Sequence, residues 1–229
     1  MEVLPNGFTL TLPEGCFPLS TDSMVLADFA RLPKNASVLD LGAGCGTLGL
    51  LLCAGNDSCR ITGMELDRTA HEAAVANITR NRLDCRMESV CADLRTVPSR
   101  FSPGSFTTCI SNPPYFSGGP ASKTLPAARR EDQCPLEALF AAASWALKYG
   151  GDFYLVHRPE RLGELISLGS QAGLSCKRLG LVRHRQDGPI SLVLLQLRKG
   201  GKPGLIIEET ALFDALSQPT EDYRRIYHI

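Results

Sequence analysis

The residues with the clearest potential for chemistry in this sequence are Asn112, Pro113, Pro114 and Tyr115, which are separated by Ser111 from an apolar strand predicted at 106–110. The two prolines stiffen the turn and remove two N–H donors, so its carbonyl oxygens stay available as acceptors. Asn112 Oδ1 and the Pro113 carbonyl could each accept an N–H from the NH₂ of a planar group, on which Tyr115 could stack. The tetrapeptide is equally compatible with an ordinary Asn-Pro turn beside a buried tyrosine.

A glycine-rich turn lies upstream of this tetrapeptide. The apolar stretch 37–41 predicts a buried strand, and an apolar helix is predicted after the turn. The residues assigned to the turn are Gly42, Ala43, Gly44 and Gly46. Glycines let a ligand approach the backbone closely, and the N–H groups at the start of the helix point toward it. Strand, glycine turn and helix in this order are typical of a nucleotide-binding α/β unit.

Two acidic residues follow later predicted strands. Glu65 ends the strand predicted at 60–64, 21 residues after Gly44, where an acid can bind both hydroxyls of a ribose. Asp93 follows the strand predicted at 88–92 and could accept a hydrogen bond from the exocyclic amine of adenine. The apolar neighbours Leu66 and Leu94 complete this nucleoside site, with Leu94 against the ring.

The charge of the ligand follows from Asp40, which stands just before the glycine turn. A carboxylate there would repel a diphosphate but suits a ligand that carries an ammonium group, as S-adenosylmethionine does. Further upstream, Ser20, Thr21 and Asp22 predict the start of a helix. Capping is the usual role of such residues, but Thr21 is also a candidate for contact with the ligand.

Together these residues resemble the class I S-adenosylmethionine-dependent methyltransferases. The resemblance covers residues 20–160 and rests on the segments 38–46, 92–93 and 112–115 together with Glu65. The Asn-Pro-Pro-Tyr tetrapeptide resembles the branch that methylates nitrogen conjugated to a planar group. Within that branch, the segments 21–27, 128–131 and 223–227 are similar to the bacterial tRNA1(Val) adenine N6-methyltransferases.

The resemblance implies an α/β fold with a Rossmann-like seven-stranded methyltransferase sheet, helices on both faces and a C-terminal antiparallel hairpin. We expect the hairpin strands at 174–182 and 190–197, and a small edge strand at 205–207. Helices are predicted at 68–80, 135–148 and 159–172. The sequence is expected to form one domain over 1–229, with a short N-terminal strand and helix extension at 1–36.

The implied cofactor is S-adenosylmethionine, with S-adenosylhomocysteine as product, and the implied substrate is RNA, specifically tRNA. The positions considered for contact with RNA are Phe116, Lys123, Arg129 and Arg130 in or beside a loop expected to be mobile, and Lys177, Arg183 and Arg185 near the hairpin. Methyltransferases of rRNA, DNA or protein glutamine remain alternatives. So do an NAD(P)-binding oxidoreductase, because Gly44-x-Gly46-x-x-Gly49 fits the dinucleotide pattern, and a cofactor-binding RNA module without activity.

The composition limits the remaining classes of function. The chain has 24 basic and 24 acidic residues, so any binding to nucleic acid must use a local patch. The N-terminus lacks a signal-peptide pattern and no apolar run is long enough to span a membrane, so a cytoplasmic location is expected. Nine cysteines without Cys-x-x-Cys spacing, and only four histidines, predict reduced packing cysteines and no metal site.

Overall fold

A computed structural model describes residues 2–4, 7–115 and 135–229 of the chain. The ten strands are β1 Glu2–Val3, β2 Thr9–Leu10, β3 Ser37–Leu41, β4 Arg60–Glu65, β5 Met87–Cys91, β6 Phe106–Ser111, β7 Leu147–His157, β8 Leu174–Arg185, β9 Ile190–Lys199 and β10 Ile206–Phe213. The α-helices are α1 Thr21–Phe29, α2 Thr47–Gly55, α3 Arg68–Arg80, α4 Val97–Arg100, α5 Leu136–Ala146, α6 Leu162–Gln171 and α7 Glu221–Tyr227.

A mostly parallel sheet organises the described residues, in the order β10-β8-β9-β7-β6-β3-β4-β5. The strands β3, β4, β5, β6 and β7 run parallel to their neighbours within this group. From β3 the chain proceeds outward through β4 and β5, and then returns to the other side of β3 with β6 and β7. Ligands of such sheets bind beyond the carboxyl ends of the strands where the order reverses, which here is between β3 and β6.

The sheet has eight strands, so the prediction of seven is wrong by one. The expected edge strand at 205–207 is longer, because β10 runs parallel to β8 from the pair Ile206–Arg178 to the pair Phe213–Arg185. Arg178 anchors it, since its Nη2 lies 2.7 Å from Glu208 Oε2. The antiparallel hairpin of β8 and β9 is confirmed.

Helices cover both faces of the sheet, as the resemblance implied. One buried cluster contains side chains from α1, α2 and α3, and a second contains side chains from α5 and α6. The strand β3 serves both clusters, because Val38 belongs to the first and Leu39 to the second. This alternation is the period of two expected for a strand buried on both faces.

The predicted helix at 68–80 is confirmed in its bounds. The side chain of Asp67 accepts a hydrogen bond of 2.8 Å from the backbone N–H of Ala70, which is the usual geometry of an N-cap aspartate. Ser20 stands in the same position before α1, but its side chain makes no capping hydrogen bond. No helix in the part of the chain that the structure describes is long and apolar enough to cross a membrane.

Candidate methyl-donor and amine site

A cavity of about 390 Å³ opens at the carboxyl ends of β3, β4, β5 and β6. Its lining includes most of the residues predicted for catalysis or for the cofactor: Gly42, Ala43, Gly44, Glu65, Leu66, Asp93, Leu94, Asn112, Pro113 and Pro114. The glycine turn and the Asn-Pro-Pro turn, which are about 70 residues apart in the chain, therefore face the same space. This arrangement follows from the sheet, because β3 and β6 are adjacent and parallel.

The glycine turn has a backbone that other residues adopt rarely. Gly42, Gly44 and Gly46 have φ values of 76°, 54° and 86°. No atom lies within 4 Å of a Cβ built on Gly42 or Gly44, so the space next to the turn is open. The N–H groups of Gly42 and Ala43 both donate to the Met64 carbonyl, which holds the turn against β4. The turn therefore presents an open backbone surface to the cavity.

Glu65 is fixed at the end of β4 by two backbone donors. Its Oε2 accepts from the Gly44 N–H at 2.7 Å, and its Oε1 accepts from the Asp67 N–H at 2.8 Å. Because a carboxylate oxygen has a second lone pair, both oxygens can still accept from the hydroxyls of a ribose. The contact with Gly44 also ties the acid to the glycine turn.

Asp93 lines the same cavity but is already paired. Arg95 Nε lies 2.9 Å from each carboxylate oxygen of Asp93, and the Arg95 backbone N–H donates to Oδ1 at 2.8 Å. These contacts with the Arg95 guanidinium hold the pKa of Asp93 below its ordinary value. An amine that binds Asp93 would therefore bind a carboxylate that is ionised and oriented by Arg95.

Asp40 lies behind the lining rather than on it. It is fully buried, and neither of its carboxylate oxygens has a hydrogen-bond partner among the described residues. Burial, together with the nearby charge of Glu65, raises its pKa to about 8. A buried charge without a partner is costly, so this carboxyl group is protonated at neutral pH unless a cation approaches it.

Asn112 is oriented by two side chains from different elements. Its Nδ2 donates to Ser23 Oγ of α1 at 3.1 Å, and its Oδ1 accepts from the Tyr115 hydroxyl at 2.9 Å. Ser23 is buried and also lines the cavity. The amide oxygen that was predicted to accept an N–H from the substrate is thus held in place by a tyrosine of its own turn.

Besides Asp40, three of the predicted catalytic and cofactor residues lie outside the cavity lining. The ring of Tyr115 packs against His157 at a centroid distance of 4.9 Å. Burial, and to a smaller extent the nearby Asp22 carboxylate, raises the pKa of the Tyr115 hydroxyl well above its ordinary value. The hydroxyl of Thr21 lies 3.2 Å from that of Tyr227, at the interface between α1 and α7. Gly46 is buried at the start of α2.

Several lining residues were not predicted from the sequence. They include Glu14, Gly15, Cys16 and Phe17 of the segment before α1, as well as Ser23, Thr47 and Thr69. The segment 14–17 carries no recognisable motif, and only its position before a predicted helix could have drawn attention to it.

The basic residues near the hairpin are each bound within the protein. Lys177 Nζ donates to the carbonyl oxygens of Lys202 and Gly204, at 2.8 and 2.7 Å. Arg183 Nη1 donates to the Gly188 carbonyl at 2.6 Å, and Arg185 pairs with Asp187 at 2.7 Å.

They are also spread along the sheet. Arg183 lies opposite Ile190 and, like His157 of β7, belongs to the end of the sheet that carries the cavity. Lys177 precedes it by six residues along β8, toward the other end of the sheet. The structure therefore does not bring Lys177, Arg183 and Arg185 together as one group. Phe116, Lys123, Arg129 and Arg130, and the expected loop that follows Phe116, lie outside the described residues.

Sequence comparisons place this geometry in a family context. The profile of the methyltransferase small domain family matches residues 20–165. A tRNA1(Val) (adenine(37)-N6)-methyltransferase from Photobacterium profundum is 31% identical over 189 residues, which cover 80% of this chain and 78% of that protein. A protein of the same name from Bacteroides fragilis is 30% identical and covers 82% and 80% of the two chains.

Comparison of folds gives solved structures of the same architecture. The crystal structure of a predicted O-methyltransferase from Agrobacterium tumefaciens has a TM-score of 0.76 and 21% identity, and covers 91% of this chain and 96% of that one. The structure of a geranyl diphosphate methyltransferase with S-adenosylmethionine has a TM-score of 0.57 and 13% identity, with coverage of 77% and 84%. At these identities the likeness concerns the fold.

Proposed function

This chain belongs to the methyltransferase small domain family, and from that premise we propose that it methylates N6 of an adenine in tRNA. The enzyme class is a methyltransferase that depends on S-adenosylmethionine. The adenine and the tRNA are taken from the names of relatives that are about 30% identical over most of the chain. A tRNA substrate also implies a cytosolic location. The observation that carries the proposal is the shared cavity of the glycine turn and Asn112.

The residues present fit a methyl donor of this kind. The open glycine turn leaves room for a ligand against the backbone, Glu65 has free lone pairs for a ribose, and Leu94 is an apolar neighbour for a base. The carboxyl group of Asp40, which has no hydrogen-bond partner among the described residues, is suited to an ammonium group that comes near it. S-adenosylmethionine, when bound, supplies an electrophilic methyl group.

Asn112 and Pro113 are proposed to hold the target amine. Asn112 Oδ1 and the Pro113 carbonyl accept one N–H each, which directs the nitrogen lone pair into the cavity. The nitrogen would bond to the methyl carbon of the donor as the bond from that carbon to sulfur breaks, which leaves S-adenosylhomocysteine, and one N–H proton is then lost to water. Positioning of the two reactants supplies much of the rate in such a reaction.

The Tyr115 hydroxyl and the target amine are both proposed to bind the amide oxygen of Asn112. The Tyr115 hydroxyl occupies Asn112 Oδ1, the same atom that must accept from the substrate. An arriving amine therefore adds a second hydrogen bond at this oxygen or replaces that of the tyrosine. The Tyr115 ring packs against His157, so stacking on the base, as proposed from the sequence, needs a ring face that this contact leaves open.

The test of the amine site is the variant Asn112→Ala. Loss of an oriented acceptor in the transition state is expected to reduce kcat by roughly 10²- to 10³-fold. The Kd for S-adenosylhomocysteine, measured by titration calorimetry, is expected to change by less than about threefold, because the glycine turn and Glu65 are untouched. Equal losses in kcat and in affinity for S-adenosylhomocysteine would contradict this role of Asn112.

The test of the substrate uses separated pools of tRNA, rRNA, DNA and release-factor protein. Each pool is incubated with a labelled methyl donor, and the products are analysed by nucleoside or peptide mass spectrometry. We expect N6-methyladenosine in the tRNA pool only. Methylation confined to another pool would overturn the substrate assignment, and binding of NADH without binding of S-adenosylhomocysteine would overturn the enzyme class.

A further inference from the structure

The segment before α1 forms part of the cavity described above. Glu14, Gly15, Cys16 and Phe17 all line it, together with the glycine turn and the Asn-Pro-Pro turn. From the sequence, residues 1–36 are an extension that precedes the nucleotide-binding unit. In the structure, part of that extension is a wall of the space in which the donor is proposed to bind.

Asn77 of α3 and Asn81, the residue that caps the carboxyl end of α3, hold the chain that leads into this wall. Asn77 Oδ1 accepts from the Thr11 N–H at 2.9 Å, and its Nδ2 donates to the Thr11 carbonyl at 3.0 Å. Asn81 makes the same pair of contacts with Thr9, both at 2.8 Å. Alternate residues of an extended segment, such as 9 and 11, face the same side, and residues four apart along a helix, such as 77 and 81, do so as well. Each asparagine therefore binds the backbone of one threonine, and we call these two asparagine–threonine pairs the clamps.

Only one of the clamps also reaches the glycine turn. Asn77 Nδ2 donates to the carbonyl oxygen of Cys45 at 3.0 Å, in addition to its contact with Thr11. Asn77 is completely buried, whereas Asn81 is partly exposed. Besides its two contacts with Thr9, Asn81 donates from Nδ2 to the backbone carbonyl of Asn77. One amide side chain therefore joins the N-terminal segment, α3 and the glycine turn.

A second contact links the wall to the glycine turn. The thiols of Cys16 and Cys45 interact, since burial and then the neighbouring Cys16 thiol raise the pKa of Cys45, and both residues line the cavity. The glycine turn is thus linked by hydrogen bonds through Asn77 to Thr11, and Cys16 of the wall neighbours Cys45 of the turn.

We infer that Asn77 is a positioning residue for the methyl donor, which acts by binding Thr11 and Cys45 and so holding the chain that leads into the wall at 14–17 against the glycine turn. The inference rests on the proposed function, since it takes the cavity to be the donor site. Asn77 does not line the cavity, so its effect on the donor passes through the backbone of Cys45 and through the wall. Asn81 lacks the bond to the turn and is a matched control of the same residue type at the end of the same helix.

The experiment compares Asn77→Ala and Asn81→Ala by calorimetric titration with S-adenosylhomocysteine. Loss of the three hydrogen bonds that Asn77 makes with Thr11 and Cys45 is expected to raise the Kd of Asn77→Ala on the order of 10- to 100-fold. For Asn81→Ala we expect a change of less than about threefold. With saturating donor, Asn77→Ala should keep a kcat near that of the wild type, because the amine site is intact.

Hydrogen exchange of the wild-type protein gives a second test that does not depend on the folding of a variant. Peptides that cover residues 8–19 are followed by mass spectrometry with and without S-adenosylhomocysteine. We expect the ligand to slow exchange in this segment, because it closes the space that the wall borders. A peptide from the start of α6, which lies away from the cavity, serves as the control.

The outcomes separate this inference from the proposed function. If the wild-type protein does not bind S-adenosylhomocysteine, the donor site itself is wrong. If the wild-type protein binds it, but exchange at 8–19 is unaffected or the two asparagine variants lose affinity equally, the positioning role of Asn77 is wrong and the donor site stands. A fall in kcat alone for Asn77→Ala would likewise overturn the positioning role.

Discussion

The carboxyl group of Asp40 allows a quantitative test of the site. Burial, with a smaller contribution from Glu65, raises its pKa from an ordinary 3.8 to about 8. The folded protein therefore binds this proton more tightly than the unfolded chain does. The contribution of Asp40 to stability is fully present below about pH 4 and is lost as the pH rises toward about 8.

The magnitude follows from the size of the shift. Between the two pKa values, the free energy of unfolding falls by up to about 1.4 kcal/mol for each pH unit. From pH 5 to pH 7 the contribution of Asp40 therefore falls by about 2–3 kcal/mol. The variant Asp40→Asn has no titrating group at this position and lacks this part of the pH dependence.

The assay is urea denaturation of the wild type and of Asp40→Asn at several pH values between 5 and 8. Other titrating groups contribute equally to both proteins, so the difference between them isolates Asp40. The stability of the variant relative to the wild type is expected to increase by about 2–3 kcal/mol from pH 5 to pH 7. A difference that does not change with pH would refute the argument that this carboxyl group is buried and partnerless.

Donor binding tests the proposed partner of the same carboxyl group. An ammonium group close to Asp40 favours the ionised form, so binding below pH 8 should release up to one proton. Calorimetric titration with S-adenosylhomocysteine in two buffers of different ionisation enthalpy measures this release. We expect close to one proton for the wild type at pH 6.5 and none for Asp40→Asn. Equal values would separate Asp40 from the ammonium site.

Two further predictions concern the donor and the amine. Because Ser23 Oγ orients the Asn112 amide, Ser23→Ala should lower kcat by about 10-fold with little change in the Kd for S-adenosylhomocysteine, and Ser23→Thr should restore kcat. The control is Ser20→Ala, which removes a buried hydroxyl that has no hydrogen-bond partner among the described residues. Equal kcat values for the two alanine variants would contradict the role of Ser23 in orienting Asn112. Because Glu65 accepts from the Gly44 N–H and is assigned to the ribose, Glu65→Gln should raise the Kd for S-adenosylhomocysteine by about 10-fold or more, as measured by calorimetry. An unchanged Kd would show that Glu65 does not bind the donor.

The part of the site that could be predicted from the sequence consists of residues at the ends of parallel strands. Gly42, Glu65, Asp93 and Asn112 each follow a short apolar run, and the run predicts the strand. Since parallel strands end at one edge of the sheet, residues that are far apart in sequence can be placed together without coordinates. The structure places all four on the lining of one cavity.

The basic residues near the hairpin could not be interpreted in this way. A count of charges does not show which of them are bound, and Lys177 is bound by carbonyl oxygens of the loop at 202–204. Position along the strand also matters, because β8 crosses the sheet from one end to the other, so that Lys177 and Arg183 of the same strand lie toward opposite ends. These residues consequently provide less support for an RNA surface than their number suggests.

The wall at 14–17 was missed for a different reason. Its position depends on side chains that bind the backbone of a distant segment, and backbone atoms carry no sequence signature. In the sequence, Asn77 of α3 and Asn81 just after its end look like polar residues on the exposed side of a helix, although Asn77 is completely buried. What distinguishes them is their spacing of four residues, which matches two alternate residues of an extended chain. A pair of asparagines at this spacing on a helix that flanks a sheet is therefore a reason to look for an extended segment docked against that helix.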